Sequence, residues 1–321
     1  MARGPRRVFG LLLRPEASVV VVAVALVLYF QATNANFLTD ANLQVLSQFI
    51  ATPVILACGE IMLLISREID LSVGQTFALA PFIMEHANVV GIPVVPSILL
   101  ALAACALIGL AIGLITIRLS VPSFITTLGM LFLITGVTLT ISRGFPSNTP
   151  GGPLLTAIMG AWGYSEILWA LAVVAVMHVV LRHTRWGLHT VATGGNPVAA
   201  AEAGINIDRI RMGNFVLTST LGGFAGILEA FRIGSTDPLA GGSNIMFLGV
   251  ASGVIGGTAI AGGAGTIVGG LVGGIVLGVL QDGFTLQGIN AFTFDIIIGA
   301  AILLAMVANI HLARLRGAGS A

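Results

Sequence analysis

No lysine occurs in this 321-residue chain, and all fourteen of its basic residues are arginine. A P-loop needs a lysine to reach the β- and γ-phosphates of ATP, so this chain by itself is predicted not to be a Walker-type ATPase. Charged residues make up only 8% of the chain, against about 25% in a soluble globular protein. The two cysteines, Cys58 and Cys105, lie in apolar stretches and are interpreted as core residues. The five histidines have no metal-ligand spacing, and no nucleophile–base pair is evident, so neither a metal site nor an enzyme is predicted.

Apolar residues, by contrast, make up 56% of the chain, and the mean hydropathy is +1.03. Repeated apolar stretches of eighteen or more residues predict an all-α, polytopic bundle of about ten transmembrane helices. The predicted spans fall near residues 17–32, 45–66, 71–89, 96–118, 121–141, 165–182, 212–231, 245–260, 265–283 and 291–312. Residues 1–321 are therefore expected to form a single membrane domain, with cytoplasmic segments at 1–16, 182–211 and 313–321.

The distribution of arginine orients these spans, because basic residues near span ends are retained on the cytoplasmic side. If the N-terminus is inside, twelve of the fourteen arginines fall on the cytoplasmic side. Only Arg143 and Arg232 then lie outside. Both termini are therefore predicted to be cytoplasmic.

Two halves of the chain have related patterns. The second span ends in a polar break at residues 66–74 and the seventh in a comparable break at 232–242. Two helices later, the fourth and ninth spans carry similar glycine patterns. Asp70 is predicted inside and Asp237 outside, as an inverted repeat of spans 2–5 and 7–10 requires. The alternative is a coincidence among glycine-rich helices, whose glycines serve close packing.

Two carboxylates lie within apolar spans, where a charge is costly and is a functional candidate. Glu60 lies in the second span and Glu229 in the seventh. Each could form an ion pair on its own helix, Glu229 with Arg232 and Glu60, more loosely, with Arg67. They could instead line a solute pathway or carry protons in a secondary transporter.

A short helix is predicted in the long cytoplasmic segment. Asn196 suits the N-cap, Pro197 the first helical position and Gly204 a left-handed stop. A helix this short is not stable alone in water, so it must pack against something. It is either a knob for a groove on a cytoplasmic partner or a connector on the membrane surface.

Four motifs in order resemble those of ribose-type sugar ABC transporter permeases, within the branched-chain amino acid and sugar permease superfamily. They are residues 184–205 (TRWGLHTVATGGNPVAAAEAGI), 69–74 (IDLSVG), 121–129 (VPSFITTLG) and the glycine-rich stretch 256–265. Together they cover most of residues 45–310.

The resemblance implies a multi-pass permease subunit in a bacterial cytoplasmic (inner) membrane, importing a monosaccharide or related polyol. Its implied partners are a second permease chain, identical or related, two cytoplasmic ATPase subunits and an extracytoplasmic substrate-binding protein. ATP would be bound by the ATPases, so no cofactor is expected in this chain. The implied ATPase-coupling residues are Gly194, Gly195, Asn196, Pro197, Ala199, Ala200, Glu202 and Gly204. The candidate pathway residues are Glu60, Asp70, Ser72, Gly74, Ser123, Phe124, Thr126, Glu229 and Asp237.

The chain departs from the family pattern at several positions. Arg67 and Glu68 stand where similar permeases have two glycines, and Gln75 where a serine is common. Asn244 stands where an acidic residue is frequent, and Ala251-Ser252 replaces an alanine pair. These changes weaken any inference about the substrate. The rival hypothesis is a proton-coupled secondary transporter using Glu60 and Glu229. Against it stand the capped cytoplasmic helix and the expected lack of carboxylate partners in other spans.

Overall fold

The computed structural model describes residues 15–290 and, beyond them, residues 293, 296–301, 303, 304 and 307. The predicted segment 1–16 lies mostly outside the described residues, as do much of the predicted tenth span and the whole tail 313–321. The named helices are α1 (Pro15–Thr33), α2 (Asp40–Ile65), α3 (Val73–Val89), α4 (Val94–Arg118), α5 (Ser123–Ser142), α6 (Pro153–Thr156), α7 (Ser165–His183), α8 (Arg185–Gly195), α9 (Pro197–Glu202), α10 (Ile207–Ile233), α11 (Ser243–Ile255) and α12 (Ile267–Leu286). A π-helical turn, Ala157–Ala161, follows α6, and the strands β1 (Ser147–Asn148) and β2 (Ser235–Thr236) pair antiparallel.

The architecture is an all-α membrane bundle, as predicted. Within the described residues, six helices are long and apolar enough to cross a bilayer, namely α2, α4, α5, α7, α10 and α12. The protein is therefore a multi-pass membrane protein. The predicted eighth span, 245–260, is corrected to the 13-residue helix α11. At 1.5 Å per residue this helix is about 20 Å long, which is short of the roughly 30 Å hydrocarbon core.

The centre of the bundle is formed by α2 and α3, whose residues are mostly buried by other helices. Helix α2 packs against α7, α10, α11 and α12, while α10 also packs against α3 and α4. Helices α4 and α5 bury only a few residues each, and large apolar side chains such as Leu107 and Phe132 are exposed. These outer surfaces have the composition expected where a helix faces lipid or another membrane chain.

Two non-helical breaks meet inside the bundle. One is residues 66–72, between α2 and α3, and the other is residues 237–242, between β2 and α11. The Gly242 N–H donates to the Gly74 carbonyl oxygen at 3.3 Å. A Cβ added to Gly74 would lie 2.2 Å from the Gly242 oxygen, and one added to Gly241 would lie 2.1 Å from the Gly74 oxygen. The contact therefore requires glycine on both sides.

Segment 182–211, which is predicted to be cytoplasmic, contains two helices, α8 and α9. The predicted caps of α9 are confirmed: the Asn196 Oδ1 accepts the Ala199 N–H at 3.1 Å, and Gly204 has φ +82°. Helix α8 was not predicted. Its N-cap is Thr184, whose hydroxyl accepts the Gly187 N–H at 3.4 Å. Helix α8 ends at Gly195, the residue before the N-cap of α9, so no linker separates the two helices. They are called the α8–α9 unit below.

Candidate transport site

Asp70 is fully buried in the first break and organises the start of α3. Its Oδ1 accepts from the Ser72 N–H at 2.8 Å and from the Ser72 hydroxyl at 2.6 Å. Its Oδ2 lies 3.4 Å from the Ser219 hydroxyl of α10, which donates to it. The positive end of the α3 helix dipole also stabilises a carboxylate that lies just before the helix. Asp70 therefore fixes the end of the break against α10.

Glu60 is also fully buried, 0% exposed, and lies on α2 six residues before the break begins. Neither of its carboxyl oxygens makes a hydrogen bond of standard geometry within the described residues, although the Asp70 backbone N–H also acts on this carboxyl as a weak donor. Asp70 is close enough to interact with it electrostatically. The looser pairing expected with Arg67 does not form, because the Arg67 guanidinium donates to the Gly194 and Gly195 carbonyls instead.

A pocket of about 380 Å³ opens on the other side of the Gly74–Gly242 contact, at the predicted external end. This volume is within the range of about 300–1,000 Å³ that is usual for small-molecule sites. The pocket is bounded by α3, α10 and the segment 235–240, and Glu229 and Asp237 lie in its wall. Phe77 and Pro81 supply part of its apolar lining.

Glu229 has a salt bridge at this pocket, as its spacing from Arg232 predicts. Arg232 Nε donates to Glu229 Oε2 at 2.8 Å and its Nη2 donates to Glu229 Oε1. Arg232 Nε also lies 3.4 Å from Oε2 of Glu166, the second residue of α7, which is almost fully buried. The expectation that no other span supplies a carboxylate partner was therefore wrong, because Glu166 and Glu229 share one arginine.

The candidate pathway residues thus fall into three places. Asp70, Ser72 and Gly74 lie at the first break near Glu60, and Glu229 and Asp237 lie at the external pocket. The other three lie at the start of α5, which touches the first break through Ser123. There the Ser123 hydroxyl interacts with Glu68, Phe124 is 57% exposed and Thr126 is buried.

Glu68, in the first break, forms an ion pair with a neighbouring helix. It pairs with Arg211 of α10 at 3.3 Å. Burial raises the pKa of the Glu68 carboxyl above its usual value, and the Ser123 hydroxyl and Arg211 oppose that rise. The break is therefore joined electrostatically to the start of α10.

Helix α8 is held against the bundle by a polar cluster that the sequence did not reveal. Trp186 Nε1 donates to Asn214 Oδ1 at 2.9 Å. Asn214 Nδ2 donates to the Met62 carbonyl oxygen at 3.1 Å and to the Ser66 hydroxyl at 3.2 Å. An asparagine within an apolar span was the available signal, since a buried amide must find partners.

One face of α9 is exposed and the other is buried against the protein. Val198 is 68% exposed, and Ala199, Ala201 and Glu202 are also exposed. Ala200 is only 4% exposed and faces the protein. Of the implied coupling residues, Gly194 and Ala200 therefore support α9 from inside, whereas Ala199 and Glu202 are open to a partner.

Comparison with known proteins places this geometry in a family. The family model described as the branched-chain amino acid transport system / permease component matches residues 42–306. The xylose/arabinose import permease protein of Sulfolobus acidocaldarius is 34% identical over 94% of this chain and 86% of its own length. The ribose import permease protein of Escherichia coli K12 is 34% identical over 95% of this chain and 96% of its own.

A third relative, the galactose/methyl galactoside import permease protein of Escherichia coli K12, is 31% identical over 91% of this chain and 93% of its own length. No solved structure gives a significant match. The matched residues include both breaks, the external pocket and the α8–α9 unit. The chain therefore belongs to the branched-chain amino acid transport system permease component family and is the membrane permease subunit of an ATP-binding cassette importer, not an enzyme.

Proposed function

We propose that this permease carries a monosaccharide or a related polyol into the cell. The observation that carries the proposal is likeness over nearly the whole chain to permeases named for xylose/arabinose, ribose and galactose import. The external pocket supports it, because carboxylates and backbone groups beside apolar walls suit a solute with several hydroxyls. The family description also mentions branched-chain amino acids, so leucine is the appropriate competing solute.

The proposed mechanism is alternating access by an inverted repeat. Helix α10 packs against α3 and α4, and α2 packs correspondingly against α11 and α12. This reciprocal packing supports two related halves, spans 2–5 and 7–10, in a bundle of about ten helices in which the short α11 takes the place of span 8 and both termini are cytoplasmic. In the proposal, the pocket at Glu229 and Asp237 is the outer part of the pathway. The Gly74–Gly242 contact closes its inner end, and Asp70 and Ser72 lie beyond.

The ATP that drives transport is bound by partner ATPases, which permeases of this kind require together with a substrate-binding protein. We propose an assembly of two permease chains, identical or related, with two ATPases in a bacterial cytoplasmic membrane. The exposed face of α9, centred on Val198, is the proposed ATPase contact. Val198, Ala199 and Ala201 are exposed together on this short helix, and an apolar face left open in this way supports a docking role.

The experiment is affinity purification of the tagged chain with its ATPase and reconstitution into liposomes with ATP on the cytoplasmic side. With the substrate-binding protein outside, uptake is measured for labelled D-ribose, D-xylose, L-arabinose, D-galactose and L-leucine. We expect saturable, ATP-dependent uptake of at least one sugar and none of leucine. Uptake of leucine alone, or recovery of no ATP-hydrolysing partner, would contradict the proposal.

The proposed contact between α9 and the ATPase is tested with the variant Val198→Glu and a matched control variant, Leu119→Glu. Leu119 is likewise 68% exposed and lies in a different loop on the same predicted side. Val198→Glu is expected to reduce recovery of the ATPase at least tenfold, because a charge replaces apolar contact area. Leu119→Glu should leave recovery unchanged. Equal recovery from both variants would remove α9 from the interface.

A further inference from the structure

Arg67, the second residue of the first break, has a backbone conformation that disfavours its own side chain. Its φ is +66°, in the left-handed region that glycine adopts freely and other L-residues adopt at a cost. Glycine at this position would relieve that strain. The side chain must therefore contribute something that offsets it.

The guanidinium joins the break to the last residues of α8. Nε donates to the Gly194 carbonyl oxygen at 2.6 Å, and Nη2 donates to the Gly195 carbonyl oxygen at 3.1 Å. These carbonyls belong to the end of a helix, where acceptors lack partners and the dipole is negative. A planar, charged donor with two parallel N–H groups suits that pair of acceptors.

The residues around this contact are packed too closely for another arrangement. A Cβ on Gly194 would lie 1.6 Å from the Ile65 carbonyl oxygen, and one on Gly262 would lie 2.4 Å from Arg67 Cγ. The Gly263 N–H donates to the same Ile65 oxygen at 2.8 Å. The ends of α2 and α8 and the loop before α12 thus meet around Arg67.

The charge of Arg67 is not used elsewhere among the described residues. Its neighbour Glu68 pairs with Arg211, and the only polar contacts of the Arg67 side chain in the described part of the chain are the two carbonyls. Gly195 directly precedes Asn196, the N-cap of α9. Three residues beyond Arg67, Asp70 fixes the start of α3, whose first turn touches the second break.

We propose that Arg67 is a positioning residue that makes the α8–α9 unit and the first break move as one body. Displacement of α9 by a cytoplasmic partner then reaches Asp70 and the Gly74–Gly242 contact through this side chain. The inference rests on the proposed function, in which α9 contacts the ATPase.

The chain supplies a matched control for its test. Arg143 also has a left-handed backbone, with φ +55°. It is exposed at the end of α5, and its side chain makes no hydrogen bond within the described residues. Arg67→Gly and Arg143→Gly therefore relieve the same kind of strain, but only the first removes the bridge to α8. Arg67→Lys keeps the charge but loses the two-pronged geometry.

The first measurement uses hydrogen exchange on the full-length permease in lipid nanodiscs, without the ATPase. Peptides covering residues 60–75 and 190–205 should exchange at least fivefold faster in Arg67→Gly than in the wild type. Arg143→Gly should match the wild type, and Arg67→Lys should be intermediate. Equal exchange in Arg67→Gly and Arg143→Gly would overturn the bridge, whatever the partner of α9.

The second measurement uses the permease–ATPase complex and a cysteine reporter, Ala240→Cys, in the wall of the external pocket. Cys58 and Cys105 are buried and should not react. ATP should change the rate of modification by a membrane-impermeant maleimide at least fivefold in the reporter alone and with Arg143→Gly. With Arg67→Gly the ATP-dependent change in modification rate should be lost while ATP hydrolysis continues, and with Arg67→Lys it should be partly kept.

A full ATP-dependent change in the modification rate with Arg67→Gly would refute coupling through Arg67. Absence of any change in the reporter alone would instead count against the proposed function.

Discussion

Gly74→Ala is the smallest change that tests the contact between the two breaks. The added Cβ would lie 2.2 Å from the Gly242 carbonyl oxygen, whereas ordinary contact begins at 3.4 Å, so the two backbones must separate by about 1.2 Å. Both sides of the contact are backbone, so no side chain can rotate away. Overpacking of this kind costs about 1–3 kcal/mol. At about 2–4 °C per kcal/mol, the melting temperature should fall by about 2–12 °C.

The assay uses the protein's own thiols. Cys58 and Cys105 are buried, so a thiol-reactive fluorophore should label them only as the purified chain unfolds. The control is Gly129→Ala on α5, where an added Cβ meets nothing within 4 Å. Alanine favours a helix over glycine by about 1 kcal/mol, so this control should melt at the wild-type temperature or above. If Gly74→Ala melts with Gly129→Ala and transports equally well, the closed contact is not part of the functional structure.

Two further substitutions test the buried charges. Arg232→Gln leaves Glu166 and Glu229 without their shared donor, and should destabilise the protein by about 1–3 kcal/mol. Arg232→Lys should retain much more folded protein by size-exclusion chromatography, and equal recovery of the two variants would contradict this account. Glu60→Met replaces a buried carboxyl that makes no hydrogen bond of standard geometry within the described residues, and should raise the melting temperature while ATP-driven uptake persists; a lower melting temperature with loss of uptake would instead make Glu60 a working part of the pathway.

The membrane helices could be predicted because each is encoded by its own long apolar stretch, independently of the rest of the chain. The spans predicted at 96–118 and 121–141 correspond to α4 and α5, which are Val94–Arg118 and Ser123–Ser142. The ends of α9 were predictable for a related reason, since an N-cap, a first-turn proline and a left-handed glycine act on their immediate neighbours. The short length of α11 was missed because the apolar run continues past Ile255, where Gly256 and Gly257 end the helix.

Contacts between segments that are far apart in the chain could not be predicted from the sequence. The spacing of Glu229 and Arg232 predicts their pair, but nothing local indicates that Glu166, more than sixty residues earlier, shares the same arginine. The spacing along the sequence pairs Arg67 with Glu60, whereas the actual acceptors of Arg67 are the Gly194 and Gly195 carbonyls. Helix α8 was missed although its apolar residues recur at helical spacing, because its glycines lower the helix propensity and contacts with Asn214 and the end of α2 hold it in place.

The small strand pair at the predicted external end ties the two halves of the chain together beside the pocket. Ser147–Asn148 and Ser235–Thr236 come from opposite halves of the chain, and Pro146 and Ser235 both line the pocket. Nearby, the Thr149 N–H donates to the Gly234 oxygen at 3.2 Å, and the Ser235 hydroxyl donates to the Ser147 oxygen at 3.2 Å. Two such bonds at about 1 kcal/mol each favour the closed rim by roughly thirtyfold. A solute that can bind only with this rim open must therefore bind the open arrangement more than about thirtyfold more tightly than the closed one.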